Sequence, residues 1–201
     1  MHKSLSVKEL CIAAIFTAIT AVLAQIAIPL PFTPIPVSFG MIAVYLAGMY
    51  LTPRGAAFSQ IVYLLLGAVG APVFAGFQGG LGHIIGPTGG CLFAYPIMAV
   101  VISLTLNKPG KLWAVNGRKR IIPYIKASVV LFAALSIEYL FGSLWLSITA
   151  KTPFLSSLSV MIATFLLLDI IKIIATVFVF LPVRERFIKA HILSLPEGGK
   201  A

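Results

Sequence analysis

The sequence predicts an all-α membrane protein: six transmembrane helices, both termini cytoplasmic, with Pro-rich and Gly-rich outer loops capping a ligand cavity. Three observations predict it. Of 201 residues, 60% are hydrophobic and 10% charged, against about 25% charged in an average soluble domain. Apolar runs near the length that crosses a bilayer as a helix, about 20 residues, recur six times. With Met1 placed in the cytoplasm, thirteen basic residues fall in inside segments and one, Lys151, in an outside loop. That is the positive-inside bias of a polytopic membrane protein.

Residues 1–201 read as one domain. The first run, roughly 8–28, follows Lys3 and Lys8 and superficially resembles a signal peptide. Its length and the five runs behind it make it a retained helix. Runs two and three, roughly 37–53 and 55–71, are short and separated only by the Pro53-Arg54-Gly55 turn. Run four spans roughly 89–107, run five 123–147 and run six 158–182, with a basic, hydrophilic inside loop at 107–122. The net charge of +10 suggests nucleic acid at first sight. Its placement, however, is that of topology and anionic-lipid contact, so membrane lipids are expected partners and nucleic acid is not. Cys11 and Cys91 have no CxxC or His partner nearby and read as small core residues. No P-loop is present, so any energy source lies in another protein, and no cofactor or metal is expected.

The two outside loops are unusual. Residues 28–36 hold four prolines and no charge, which excludes helix and favours a stiff extended strap. Such a strap suits a lid over a site, or a rigid connector. Residues 71–90 hold seven glycines, two prolines and no fixed charge, which argues against a regular helix. Irregular backbone near a membrane survives where it is buried in protein or lines a cavity. Gln78 brings both a donor and an acceptor to this loop, and the backbone of Gly79 and Gly80 can approach a ligand closely.

Asp169 and Lys172 lie inside LLLDIIKIIATVFVFL, an otherwise apolar run. A charge at membrane depth costs at least ~2.5–3.5 kcal/mol by insertion scales, so it has a partner, a wet cavity or a ligand. Their i, i+3 spacing places both on one helix face. They form either a structural ion pair or an acceptor and donor for a polar small molecule. Glu138 is the second acidic residue at this depth, and it too needs a partner. Tyr139 and Trp145 read as interfacial anchors or as pocket walls, with Phe77 and Phe74 as further apolar candidates. In the first run Ala14 and Ala18 are four apart, a spacing that admits another helix closely in lipid. Packing inside the protein's own bundle would use the same residues. HExxH and GxSxG signatures are absent from the sequence. A Glu138–Asp169 dyad would be spoiled as an acid by Lys172 beside it, so an enzyme is not expected.

PLPFTPIPVSF, the PRGA turn, LLLGAVGAPVFAGFQGGLGHIIGPTGG, YLFGSLWL and LLLDIIKI together resemble the biotin-binding S component of energy-coupling factor transporters, the BioY family. The resemblance runs through all six apolar runs in order. It implies high-affinity capture of biotin from outside and docking onto a transmembrane coupling protein that bears two cytoplasmic ATPase subunits. It also implies that the S component topples to carry the site inward, although some members are reported to act without a dedicated energising module. By resemblance Asp169 and Lys172 contact the ligand, and an Ala-x-x-x-Ala face, here Ala14 and Ala18, docks the coupling protein. Gly40 stands where many members have Gln, and Cys91 where many have Tyr. An S component for another vitamin such as riboflavin or thiamine, or a ligand-free structural or regulatory membrane subunit, are the alternatives.

Overall fold

A computed structural model describes residues 6–29, 31, 35–107 and 121–189. Helix α1 (Val7–Gln25) starts at a capping box in which Ser6 and Glu9 satisfy each other's backbone N–H groups. It turns Ala13, Thr17, Thr20 and Ala24 into the bundle, while Ala14 and Ala18 face outward. Thr17 Oγ1 donates to the Ser59 carbonyl at 2.9 Å, so a polar seam stitches α1 to the third helix.

The chain then stays extended. Strands β1 (Ala27–Ile28) and β2 (Val37–Ser38) pair antiparallel, with Ala27 opposite Ser38. Pro29 and Pro36 flank this ribbon, and neither can donate to a helical ladder. Helix α2 (Gly40–Tyr50) is buried at every position but its last. A helix apolar all round is one surrounded by protein, and α2 packs against both α1 and α5. Thr52 caps α3 (Pro53–Ala68) by accepting from the Gly55 N–H, with proline at the first helical position, where its missing N–H costs nothing.

Within the Gly-rich segment a one-turn helix, α4 (Leu81–Ile85), forms between Gly80 and Gly86. This departs from the expectation of wholly irregular backbone: Leu81–Ile85 has no proline and a single glycine, and Ile84 packs against the core. Helix α5 (Gly89–Leu106) and helix α6 (Ile121–Ala150) approach closely at Gly90, where an added Cβ would collide with Trp145 and the Phe141 carbonyl. Helix α7 (Phe154–Ala175) runs through a π-helical turn, Thr176–Phe180, into α8 (Leu181–Lys189).

Among the described residues, four helical segments are long and apolar enough to cross a membrane: Val7–Gln25, Gly89–Leu106, Ile121–Ala150 and Phe154–Arg184. Runs two and three form helices of 11 and 16 residues, about 16 and 24 Å long at 1.5 Å per residue. They fall short because the β2 strand holds the chain extended up to Ser38 and the Thr52-Pro53 start of α3 ends α2. The basic residues Lys3, Lys108, Lys111, Arg118, Lys119, Arg120 and Lys200 lie outside the described residues.

The end of the bundle away from the two loops is closed by polar groups. Buried Arg184 donates from Nε to the Met49 carbonyl at 2.6 Å and from Nη2 to Asn107 Oδ1. Asn107 Nδ2 donates to the Leu51 carbonyl at 2.6 Å. Tyr50 donates from its hydroxyl to the Phe180 carbonyl of the π turn at 2.8 Å. The bonds to Met49 and Leu51 satisfy carbonyls that the end of α2 leaves without intrahelical partners, and a cation there suits the helix dipole.

Candidate ligand-binding cavity

Between the ribbon, the Gly-rich segment and the faces of α5, α6 and α7 lies a cavity of about 350 Å³, within the range of small-molecule sites. Asp169 and Lys172 line it at 2% and 6% exposure, so neither points at lipid. Lys172 Nζ donates to Asp169 Oδ1 at 2.9 Å, and the Tyr139 hydroxyl donates to Asp169 Oδ2 at 2.7 Å. The ion pair therefore exists, and it stands beside a void. Each carboxylate oxygen keeps lone-pair capacity and the ammonium keeps N–H groups. The pair can neutralise itself while empty and still offer an acceptor and a donor to a guest.

The walls are aromatic and sulfur-bearing. Tyr63 meets Phe74 edge-on with centroids 5.5 Å apart and stacks with Tyr95 at 6.3 Å. Phe165, Met161 and Cys91 complete the apolar surface. An added Cβ on Gly142 would press on Cys91 Sγ and Met161 Cε, so Cys91 fits a space where a Tyr would need other packing. Gly40 is off the cavity, tucked against Ala24 and Ser38.

The roof has two parts. Pro29, Ile35, Pro36 and Val37 of the strap line the cavity. So do Phe74, Ala75, Gly76 and Gln78, from a tight turn in which Phe74 and Gln78 exchange backbone hydrogen bonds. Gly76 and Phe77 both adopt positive φ, at 72° and 58°. The turn is held by α1: Gln25 Oε1 accepts from the Phe77 N–H at 2.7 Å, and Gln25 Nε2 donates to the Val73 carbonyl at 3.1 Å.

Of the residues singled out from sequence, Asp169, Lys172, Gln78 and Tyr139 meet at the cavity. Phe77 does not: its side chain is 72% exposed, because the positive φ turns it outward while its N–H is held by Gln25. Gly79 and Gly80 stand behind the turn, Gly79 tight against the Ala71 carbonyl and the Gly80 N–H bonded to the Gly67 carbonyl at 2.7 Å. Trp145 is off the cavity too. Its Nε1 donates to the Gly86 carbonyl at 2.8 Å, and its ring meets Phe93 edge-on, so it anchors the Gly-rich segment to α6. Sequence reasoning missed Tyr63, Tyr95, Phe165 and Met161, whose types are unremarkable in apolar helices, and Gln25, whose partners are far away in sequence.

The helices and the cavity define a membrane protein with a buried cavity of small-molecule size. Comparison with known proteins narrows this. The model of the BioY family matches residues 1–189. The chain is 33% identical over 178 residues to the biotin transporter BioY of Thermotoga maritima, covering 89% of this chain and 96% of that one. It is 37% identical over 140 residues to a probable biotin transporter BioY of Pyrococcus horikoshii, covering 70% and 75%. The crystal structure of the S-component for biotin from an ECF-type ABC transporter matches with a TM-score of 0.75 at 28% identity, over 92% of this chain and 95% of that chain. The chain belongs to the BioY family.

Proposed function

We propose that this protein captures biotin and takes it up as the S component of an energy-coupling factor transporter. The observation that carries this reading is the buried Asp169–Lys172 pair standing open to a cavity of about 350 Å³. Biotin's ureido ring has two N–H donors and a carbonyl acceptor on a compact apolar bicycle. Asp169 accepts from a ureido N–H in a charge-assisted bond, while the free N–H groups of Lys172 meet the ureido oxygen or the valerate carboxylate. Gln78 adds a polar contact from the roof, and Tyr139 holds Asp169 in place. The aromatic walls take the bicycle. An analogue lacking ureido N–H groups leaves the carboxylate unpaired, which is how such a site discriminates.

Six spans with both termini cytoplasmic remain the arrangement that the charge distribution supports, α2 crossing as a short, protein-surrounded helix and α3 as a short helix that exposes Phe58, Ile61, Leu65 and Leu66. The strap and the Gly-rich segment then face outward, where the vitamin arrives. Ala14 and Ala18, exposed on α1, face a transmembrane coupling protein carrying two ATPase subunits. No catalytic role is assigned. Calorimetry of the purified chain tests the reading: biotin should bind tightly, with dethiobiotin weaker and riboflavin and thiamine silent. Binding of riboflavin or thiamine in preference to biotin would reassign the vitamin, and no binding of any would leave a structural subunit.

A further inference from the structure

Beside Asp169 and Lys172, the cavity is lined by a second acidic side chain, Glu138. It lies on α6 beside Tyr139, is 6% exposed and lines the cavity. Its Oε2 is buried with no hydrogen-bond partner among the described residues. The contrast with Asp169 is sharp: there, one oxygen already accepts from Lys172 and the other from Tyr139. A buried carboxyl oxygen left unmatched is costly, and in native structures such an atom calls for a partner from outside the chain. Glu138 lines the cavity, so a guest held there is placed to supply that partner to the carboxyl.

We infer that Glu138 is a second ligand-contacting, specificity-determining carboxyl, which accepts a hydrogen bond from one ureido N–H of the captured vitamin. The inference rests on the biotin reading and deepens it. A ureido ring carries two N–H groups diverging from one carbonyl, and the cavity offers two carboxyls on different helices, Glu138 on α6 and Asp169 on α7, with the Lys172 ammonium beside Asp169 as donor. Of the two acceptors Glu138 is the unengaged one, so occupying it disturbs no bond the empty protein makes. Contact at both carboxyls would tie α6 to α7 through the ligand.

The test is calorimetry on the full chain in detergent with biotin and with biotin methylated at one or the other ureido nitrogen, for wild type, Glu138→Gln and Glu138→Leu. Wild type should reject at least one N-methyl analogue strongly. Glu138→Leu should bind biotin about 10- to 100-fold more weakly and lose about tenfold or more of the discrimination against that same analogue. Glu138→Gln, which keeps one acceptor oxygen, should fall between. The proposal is overturned if both variants keep wild-type discrimination between biotin and its methylated forms. Should Glu138→Leu fail to fold, unchanged biotin affinity and unchanged discrimination in Glu138→Gln overturn it alone. Absence of biotin binding by wild type would bring down the vitamin assignment and this contact together, an outcome distinct from unchanged discrimination in a chain that binds biotin.

Discussion

At the scale of single residues, the site depends on charges that the surrounding apolar helix would otherwise exclude. Asp169 is held by Lys172 and Tyr139 and keeps an acceptor face toward the cavity. Asp169→Asn should weaken biotin binding by about 1.5–3 kcal/mol, the range for a hydrogen bond to a charged group. Equilibrium titration of the folded variant measures this, and an unchanged affinity would remove Asp169 from the ligand. The pair was legible in the sequence because an ion in an apolar run has few explanations. Tyr63, Tyr95 and Phe165 were not: an aromatic in a spanning helix looks the same in sequence whether it faces lipid, core or ligand, and only the packing of α3, α5 and α7 turns these three onto one void. Phe77 and Trp145 show the converse. Both are aromatic and close to the loops, yet a positive φ turns one outward and a bond to Gly86 draws the other behind the cavity.

Between elements, the helices themselves followed from apolar runs, and their ends from local chemistry such as the Ser6 and Thr52 caps. The shortness of α2 and α3 was visible as a proline-bearing turn, whereas α4 was hidden by the glycines around it. What the sequence did not disclose is the clasp between α1 and the roof, since Gln25 and Phe77 are 52 residues apart. Gln25→Ala should release the Phe74–Gln78 turn and speed biotin dissociation by about three- to tenfold, the loss of one net hydrogen bond. Stopped-flow displacement of bound biotin reads that rate, and a wild-type rate would show that the turn holds without the clasp. Along α1, Ala13, Thr17, Thr20 and Ala24 turn inward, leaving Ala14 and Ala18 outside. Ala18→Leu should therefore spare biotin binding and lower uptake into cells by obstructing a partner helix. Normal uptake by that variant would leave the outward small-residue face without a role in docking.

Across the whole molecule, buried polar groups among the described residues gather toward two ends of the bundle, with the Thr17–Ser59 seam of α1 and α3 between them. At one end Arg184, Asn107 and Tyr50 bind the carbonyls of Met49 and Leu51 at the end of α2 and of Phe180 in the π turn. Toward the other lies the cavity, roofed by uncharged loops. That arrangement sets the ligand-facing pair at the cavity and the buried Arg184 at the other end of the bundle. Composition and charge distribution announced the membrane class; the closed end could not be foreseen, since Arg184 reads in sequence as one more inside positive charge. The central claim is that the final long helix presents Asp169 and Lys172 to the vitamin inside this cavity. An experimental structure of the full chain with biotin bound tests it most directly. The account predicts the ureido ring within hydrogen-bonding distance of Asp169, beneath the turn that carries Gln78. Biotin seated elsewhere, with the Asp169–Lys172 bridge intact and turned away from it, would contradict the account.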